Sequence, residues 1–326
     1  MVKTRLTEML GIEYPILQGG MQRVSYAELV AAIANAGALG FLSALTQPTP
    51  EALTAEIEKT RSMTDRPFGV NLTILPSRTP PPYEEYGRAI VESGVKLVET
   101  AGYSPEPFMP MFNEAGIKVM HKCTAIKHAK KAQKVGCAAV IIDGFEAAGH
   151  PGEDGIGSLV LVPRAVDELD VPVIACGGFS DGRGLVAALA LGADAISMGT
   201  RFMATQEAPI HDKLKRILVE ATELDTQLIF RKFRNTARVY KNSVAVEVAE
   251  IESRPETEFS DVADLVSGER GGVVLDTGDI EQGIFWAGLS SGLVHDVPTT
   301  AELVSRIVSQ AEQIIADRLS GIASGV

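Results

Sequence analysis

The feature that most constrains this chain is a phrase repeated eight times: a short apolar run ending in glycine or a polar residue, then an amphipathic helical stretch. The runs occupy residues 14–20, 38–44, 68–75, 95–102, 118–124, 138–145, 172–179 and 195–200. Helix-like windows lie between them, among others at 26–36, 50–63, 83–93, 105–115, 125–135, 159–169 and 181–191. Several of these windows are followed by a glycine before the next run, at Gly37, Gly94, Gly116, Gly136 and Gly192, which fits a left-handed helix terminus. Continuous apolar strands alternating with helices imply a parallel sheet covered on both faces. Eight such units of roughly 25 residues each point to a closed (β/α)8 TIM barrel. An open doubly wound sheet is the competing architecture, because the count rests on short runs.

After Thr200 the rhythm breaks. A basic segment, RKFRNTARVYKN (231–242), is followed by an acidic one (247–265) and a glycine-rich stretch (268–292). A last amphipathic helix, at about 300–320, would supply the eighth barrel helix. The expected division is therefore an α/β barrel built from residues 1–204 and 295–326, with an inserted, mainly helical second domain at 205–294 over the barrel mouth.

Composition narrows the function classes. A formal net charge of −12 opposes non-specific nucleic-acid or anionic-membrane binding, which needs clustered Lys and Arg. Cys123, Cys137 and Cys176 lack the short spacing of a metal-binding or redox pair and read as reduced core thiols of a cytoplasmic protein. The N-terminus carries Lys3, Arg5 and Glu8 with no apolar signal core. The most apolar segment, 185–198, is short and interrupted by Asp194, so no spanning helix is expected.

In a barrel of this kind the chemistry sits at the C-terminal ends of the strands. The residues there are Gln18 to Gln22, Ser43-Ala44, Asn71 to Thr73, Thr100 to Gly102, His121 to Thr124, Asp143-Gly144, Cys176 to Phe179 and Met198 to Arg201. Gly177-Gly178 and Gly199-Thr200 follow the seventh and eighth strands, the two loops between which barrels bind phosphate with bare amides and a hydroxyl. Glycines needed only for tight turns would look the same. Beyond Asp143 a single His150 sits between Gly149 and Pro151, as in a ligand loop, although a surface histidine in a turn would fit equally. Lys122, flanked by Gln18, Asn71 and Asp143, is placed to hold negative charge on a bound ring rather than snorkel to water. His121, His128 and His150 lack carboxylates at ligand spacing, so no metal site is expected.

Taken together, PILQGGM (15–21), GVNLT (69–73), HKCT (121–124), DGFEAAGHPGE (143–153), ACGGFSDGRG (175–184) and SMGTRF (197–202) resemble the FMN-dependent nitronate monooxygenases, formerly 2-nitropropane dioxygenases. The similarity runs over essentially the whole chain, NTARV (235–239) included, and is greatest to the bacterial subgroup acting as NADH:quinone reductases. The resemblance implies that Gly20, Met21 and Gln22 line the isoalloxazine and ribityl chain. Thr73 and Lys122 would meet its polar edge, and Asp143 and Gly149 the adjacent wall. Gly177, Gly178, Gly199 and Thr200 would hold the FMN phosphate, and His150 would be the catalytic residue beside the flavin.

The reaction so implied passes hydride from NADH to flavin and then electrons to a quinone. No G-x-G-x-x-G unit with its ribose-binding acid is visible, so NADH is expected to share the flavin cavity, with the inserted domain on the substrate and NADH side. The proline-rich segment LPSRTPPPY (75–83) is expected to act as a gate or, equally, as a linker. Three other readings stay open: oxidation of an alkyl nitronate or propionate 3-nitronate with O2, FMN-dependent reduction of an enoyl thioester, and a non-catalytic flavin-binding sensor.

Overall fold

The structure, a computed structural model, describes residues 2–75 and 80–324. Residues 76–79 of the expected gate lie outside the described residues. Eight parallel strands form the core: β1 (Ile16–Gln18), β2 (Leu39–Ser43), β3 (Gly69–Ile74), β4 (Leu97–Gly102), β5 (Lys118–Cys123), β6 (Ala139–Asp143), β7 (Val173–Cys176) and β8 (Ala195–Met198). Each pairs with its sequence neighbour, and β1 pairs with β8 as well as β2, so the sheet is a closed barrel and not an open one.

The covering helices are α2 (Ala27–Asn35), α3 (Pro50–Met63), α4 (Tyr83–Glu92), α5 (Met109–Glu114), α6 (Ile126–Lys134), α7 (Ser158–Glu168) and α8 (Gly182–Ala190), preceded by α1 (Arg5–Leu10). The glycines expected at helix ends all adopt the left-handed region, with φ from 66° at Gly116 to 95° at Gly136.

Side chains alternate across each strand. Leu17, Leu39, Phe41, Met120, Ile141 and Ile174 fill the barrel, whereas Val119, Val140, Ile142, Val173 and Ile196 pack outward against the helices. The lower end is closed by α1, which the sequence reading did not anticipate because its apolar face is so short. Leu6 and Leu10 join the interior cluster, a Thr4–Thr7 capping box starts the helix, and Gly11 at φ 68° ends it. Arg5 Nε lies 3.0 Å from Asp194 Oδ1, holding this plug to the turn before β8.

Beyond β8, a short helix α9 (Thr200–Met203) leads into α10 (Asp212–Glu220), an antiparallel pair β9 (Thr226–Ile229) and β10 (Ala237–Tyr240), then α11 (Ser243–Glu252) and α12 (Gly268–Thr277). The regular elements of this segment are short helices and one hairpin, and Ile229, Val239, Val244, Val248 and Ile284 are among the residues of a separate apolar cluster. Its hairpin was hidden in the sequence because each strand spans four residues beside a basic stretch. The chain returns through α13 (Thr300–Gln313), which packs against α8 and α2 as the eighth barrel helix and runs on as a π-helical segment, Ile314–Leu319. Among the described residues no helix is long and apolar enough to cross a membrane.

Leu6→Ala should lower the unfolding free energy by about 2–5 kcal/mol through the cavity it opens. Urea denaturation checks this; a midpoint equal to that of the unaltered protein would mean that the lower end of the barrel does not depend on the plug.

Candidate active site

A cavity of about 350 Å³ opens at the C-terminal rim of the barrel. Every residue that the family resemblance assigns to the flavin or to catalysis lines it. Gly20, Met21 and Gln22 come from the turn after β1, Thr73 from β3, Lys122 from β5 and Asp143 from the end of β6. Gly149 and His150 sit on the loop after β6, Gly177 and Gly178 follow β7, and Gly199 and Thr200 follow β8.

The turns after β6, β7 and β8 interlock. Gly177 and Gly178 hold φ of 90° and 86°, a conformation that side chains resist, and a Cβ on Gly177 would lie 2.8 Å from the Gly144 carbonyl oxygen. Ser158 Oγ donates to the Gly177 oxygen (2.7 Å), and the Ser158 N–H donates to the Glu146 carboxylate (2.9 Å). Thr200 Oγ1 accepts from the Gly288 N–H at 3.0 Å, which leaves the hydroxyl hydrogen available to an anion. The Leu289 N–H donates to the Glu146 oxygen (3.0 Å), so the chain returning from the inserted segment ties these turns together.

Alternation along the strands gives the cavity a polar floor. Glu99 from β4 is fully buried; its Oε2 accepts the Gly20 N–H at 3.0 Å, and its Oε1 lies 3.2 Å from Lys122 Nζ. Burial works against the Lys122 charge, but Glu99, then Cys176 and Asp143, outweigh it and raise the lysine pKa well above its usual value. Burial also raises the Asp143 carboxyl, opposed by Lys122. Glu99 was missed in the sequence because it stands alone in an apolar run; its inward register two strands from Asp143 was the available signal.

His150 is held by the hairpin. Gly149 N–H donates to the Arg238 oxygen (3.1 Å) and Arg238 N–H to the Gly149 oxygen (2.7 Å), while Thr236 Oγ1 donates to Glu153 Oε2 (2.6 Å). The NTARV and AGHPGE motifs are thus one unit across 80 or so residues of chain, as only non-local pairing can make. The His150 ring lies 5.6 Å from that of Trp286, another residue the sequence reading missed. Crowding by protein atoms lowers the His150 pKa, with Glu153 opposing, although the ring is open to the cavity.

Two rim residues turn elsewhere. His121 is buried with Nδ1 2.8 Å from Thr100 Oγ1, and burial pushes its pKa down to about 4. Gln18 bonds to Ser25 Oγ (2.8 Å) and accepts the Phe41 N–H (3.2 Å), joining β1 to β2 and not facing Lys122. Among the described residues no three His, Cys, Asp or Glu side chains cluster as metal ligands.

The cavity fits a flavin mononucleotide. Asp143 Oδ1 and Ser197 Oγ line it, are buried and have no hydrogen-bond partner among the described residues, a state that costs about 1–3 kcal/mol per group unless a ligand supplies one. A cation sits on the floor, and glycine turns with a free hydroxyl stand where a phosphate is held in such barrels.

Residues 3–310 match the family model described as nitronate monooxygenase. The chain is 40% identical over 214 residues to the (3aS,4S,5R,7aS)-5-hydroxy-7a-methyl-1-oxo-octahydro-1H-indene-4-carboxyl-CoA dehydrogenase of Rhodococcus jostii, covering 66% of this chain and 59% of that protein. It is 32% identical over 355 residues to a probable nitronate monooxygenase of Staphylococcus aureus, covering 96% and 98%. Among solved structures, FabK from Thermotoga maritima superposes with a TM-score of 0.90 at 31% identity, over 99% of this chain and 100% of that one.

Gly178→Val should reduce the flavin retained after gel filtration, since its φ of 86° and a Cβ 3.3 Å from Glu146 both disfavour a side chain. The His150 ring, followed by NMR, should titrate below the ordinary value of 6.5; titration above it would place a carboxylate, not protein crowding, in control.

Proposed function

Because the chain belongs to the nitronate monooxygenase family of FMN-dependent oxidoreductases, we propose that it takes hydride from NADH and passes electrons to a quinone at one flavin site. The observation that carries this reading is a cavity in which the glycine turns after β7 and β8, the Lys122 floor and the His150–Trp286 wall all meet. All eight parallel strands belong to the barrel, so among the described residues no second parallel sheet is left to bind a dinucleotide. Donor and acceptor therefore use the same cavity in turn.

Bound FMN would supply the two-electron redox chemistry that links a nicotinamide donor to the acceptor. Gly177, Gly178, Gly199 and Thr200 would hold its phosphate, and Gly20, Met21 and Gln22 would flank its ring and ribityl chain. Lys122, kept charged by Glu99, would favour electron density at the ring's polar edge, with Thr73 and Asp143 in the same part of the lining. His150, neutral near pH 7, orients the acceptor and exchanges a proton with its oxygen. Leu45, Val266, Ile284 and Trp286 form an apolar wall suited to a flat ring and poorly suited to water. Residues 205–294 supply most of that wall and act as the domain on the substrate and NADH side.

The names of the two relatives direct the comparison substrates: a coenzyme A thioester and a nitronate. Anaerobic mixing of the yellow protein with NADH, NADPH and propionate 3-nitronate in turn should bleach the visible flavin band with NADH. A benzoquinone should then restore the band, and initial rates should follow a ping-pong pattern. His150→Ala should retain flavin and slow the acceptor step by about 10²-fold. Bleaching by the nitronate alone, or turnover of crotonyl-CoA without quinone reduction, would replace this reading with the corresponding relative's chemistry.

A further inference from the structure

We propose that Arg23 is an anion anchor at the cavity mouth, taking the diphosphate bridge of the nicotinamide dinucleotide; this rests on the NADH reading above. Arg23 lies in the turn between β1 and α2 and lines the cavity. It is one of few non-glycine residues at positive φ (60°), a conformation that persists only where neighbouring contacts impose it. Those contacts are present: the Arg23 N–H donates to Thr46 Oγ1 at 2.8 Å, and the Met21 N–H donates to Ser25 Oγ at 2.8 Å.

The guanidinium rests against bare backbone of the inserted segment. A Cβ added to Gly272 of α12 would lie 2.6 Å from Arg23 Cζ, so the glycine leaves the space that the guanidinium fills. Gly271 and Leu275 of the same helix line the cavity, which places the guanidinium along that wall. Among the described residues it makes no hydrogen bond and no ion pair, whereas Arg5, Arg61, Arg183, Arg201 and Arg306 each hold a carboxylate. The other cationic side chain in the lining, Lys122, is committed to Glu99. In a chain of net charge −12, Arg23 is thus, among the described residues lining the mouth, the exposed cation whose five donors are unclaimed. A guanidinium of this kind matches a phosphate oxygen pair bidentately. A nicotinamide that reaches a flavin ring held on the floor must leave its diphosphate nearer the mouth, where Arg23 stands.

The chemistry recognised, a nucleotide-bearing diphosphate, also occurs in coenzyme A, so the test separates the two. Holoenzyme carrying Arg23→Gln, Arg23→Lys or Gly272→Ala is assayed with NADH and with the phosphate-free donor N-benzyl-1,4-dihydronicotinamide. Binding of the redox-inert ligands adenosine diphosphate ribose and coenzyme A is measured at low and high salt. Arg23→Gln should lower the ratio of kcat/KM for NADH to that for the phosphate-free donor by about tenfold, through KM, the scale of one lost charge-assisted contact. Arg23→Lys should restore part of the ratio, and Gly272→Ala, which displaces the guanidinium without removing it, should give a smaller loss. Adenosine diphosphate ribose should bind the unaltered protein in a salt-sensitive manner that Arg23→Gln weakens. Equal losses with both donors, or an unchanged ratio, would overturn the anchor, as would Arg23-dependent binding of coenzyme A but not of adenosine diphosphate ribose. If NADH fails to bleach the flavin while adenosine diphosphate ribose still binds through Arg23, the anchor stands and the NADH:quinone reading falls.

Discussion

Hydrogen bonding of β1 to both β2 and β8 is the constraint on which the rest depends. Closure of a parallel sheet sends every strand end to one rim, so eight turns far apart in sequence become neighbours around one opening. It also forces strict alternation: Leu17, Phe41, Met120 and Ile141 fill the interior, and Glu99, Lys122 and Asp143, higher on strands of the same inward register, meet beneath the mouth. The buried Glu99–Lys122 pair is a product of that geometry. Neither charge is tolerable there alone, and removing one would leave the other uncompensated.

The inserted segment completes what closure begins. Its hairpin bonds to Gly149 and Glu153, and its return path bonds to Thr200 and Glu146, so the loops after β6 and β8 are set partly by chain outside the barrel. His150 owes its position to β10 and its environment to Trp286. A rigid scaffold with its reactive loops cross-tied in this way can place groups around a ligand to within the tolerance that catalysis demands.

Much of this was legible in the sequence because fully buried parallel strands read as continuous apolar runs and left-handed helix ends select glycine. Gly37, Gly94, Gly116, Gly136 and Gly192 marked the repeat, and Gly177-Gly178 and Gly199-Thr200 marked two turns that line the cavity. What stayed hidden has physical causes. Glu99 sits in a run that reads as core, and only its pairing with Lys122 gives it meaning. Gln18 and His121 stood at the right height but face away from the cavity, a difference of one residue in register. Trp286, the β9–β10 pair and Arg23 act through contacts that join distant segments, and no local periodicity encodes those.

The central claim is that this rim grips a yellow mononucleotide by its phosphate. The most direct measurement is the visible spectrum of the purified protein, followed by release of the pigment and its identification by chromatography. One FMN per chain, or its stoichiometric uptake by colourless protein, is the predicted result. A colourless protein that binds no added FMN, or one that carries FAD in its place, would contradict the account.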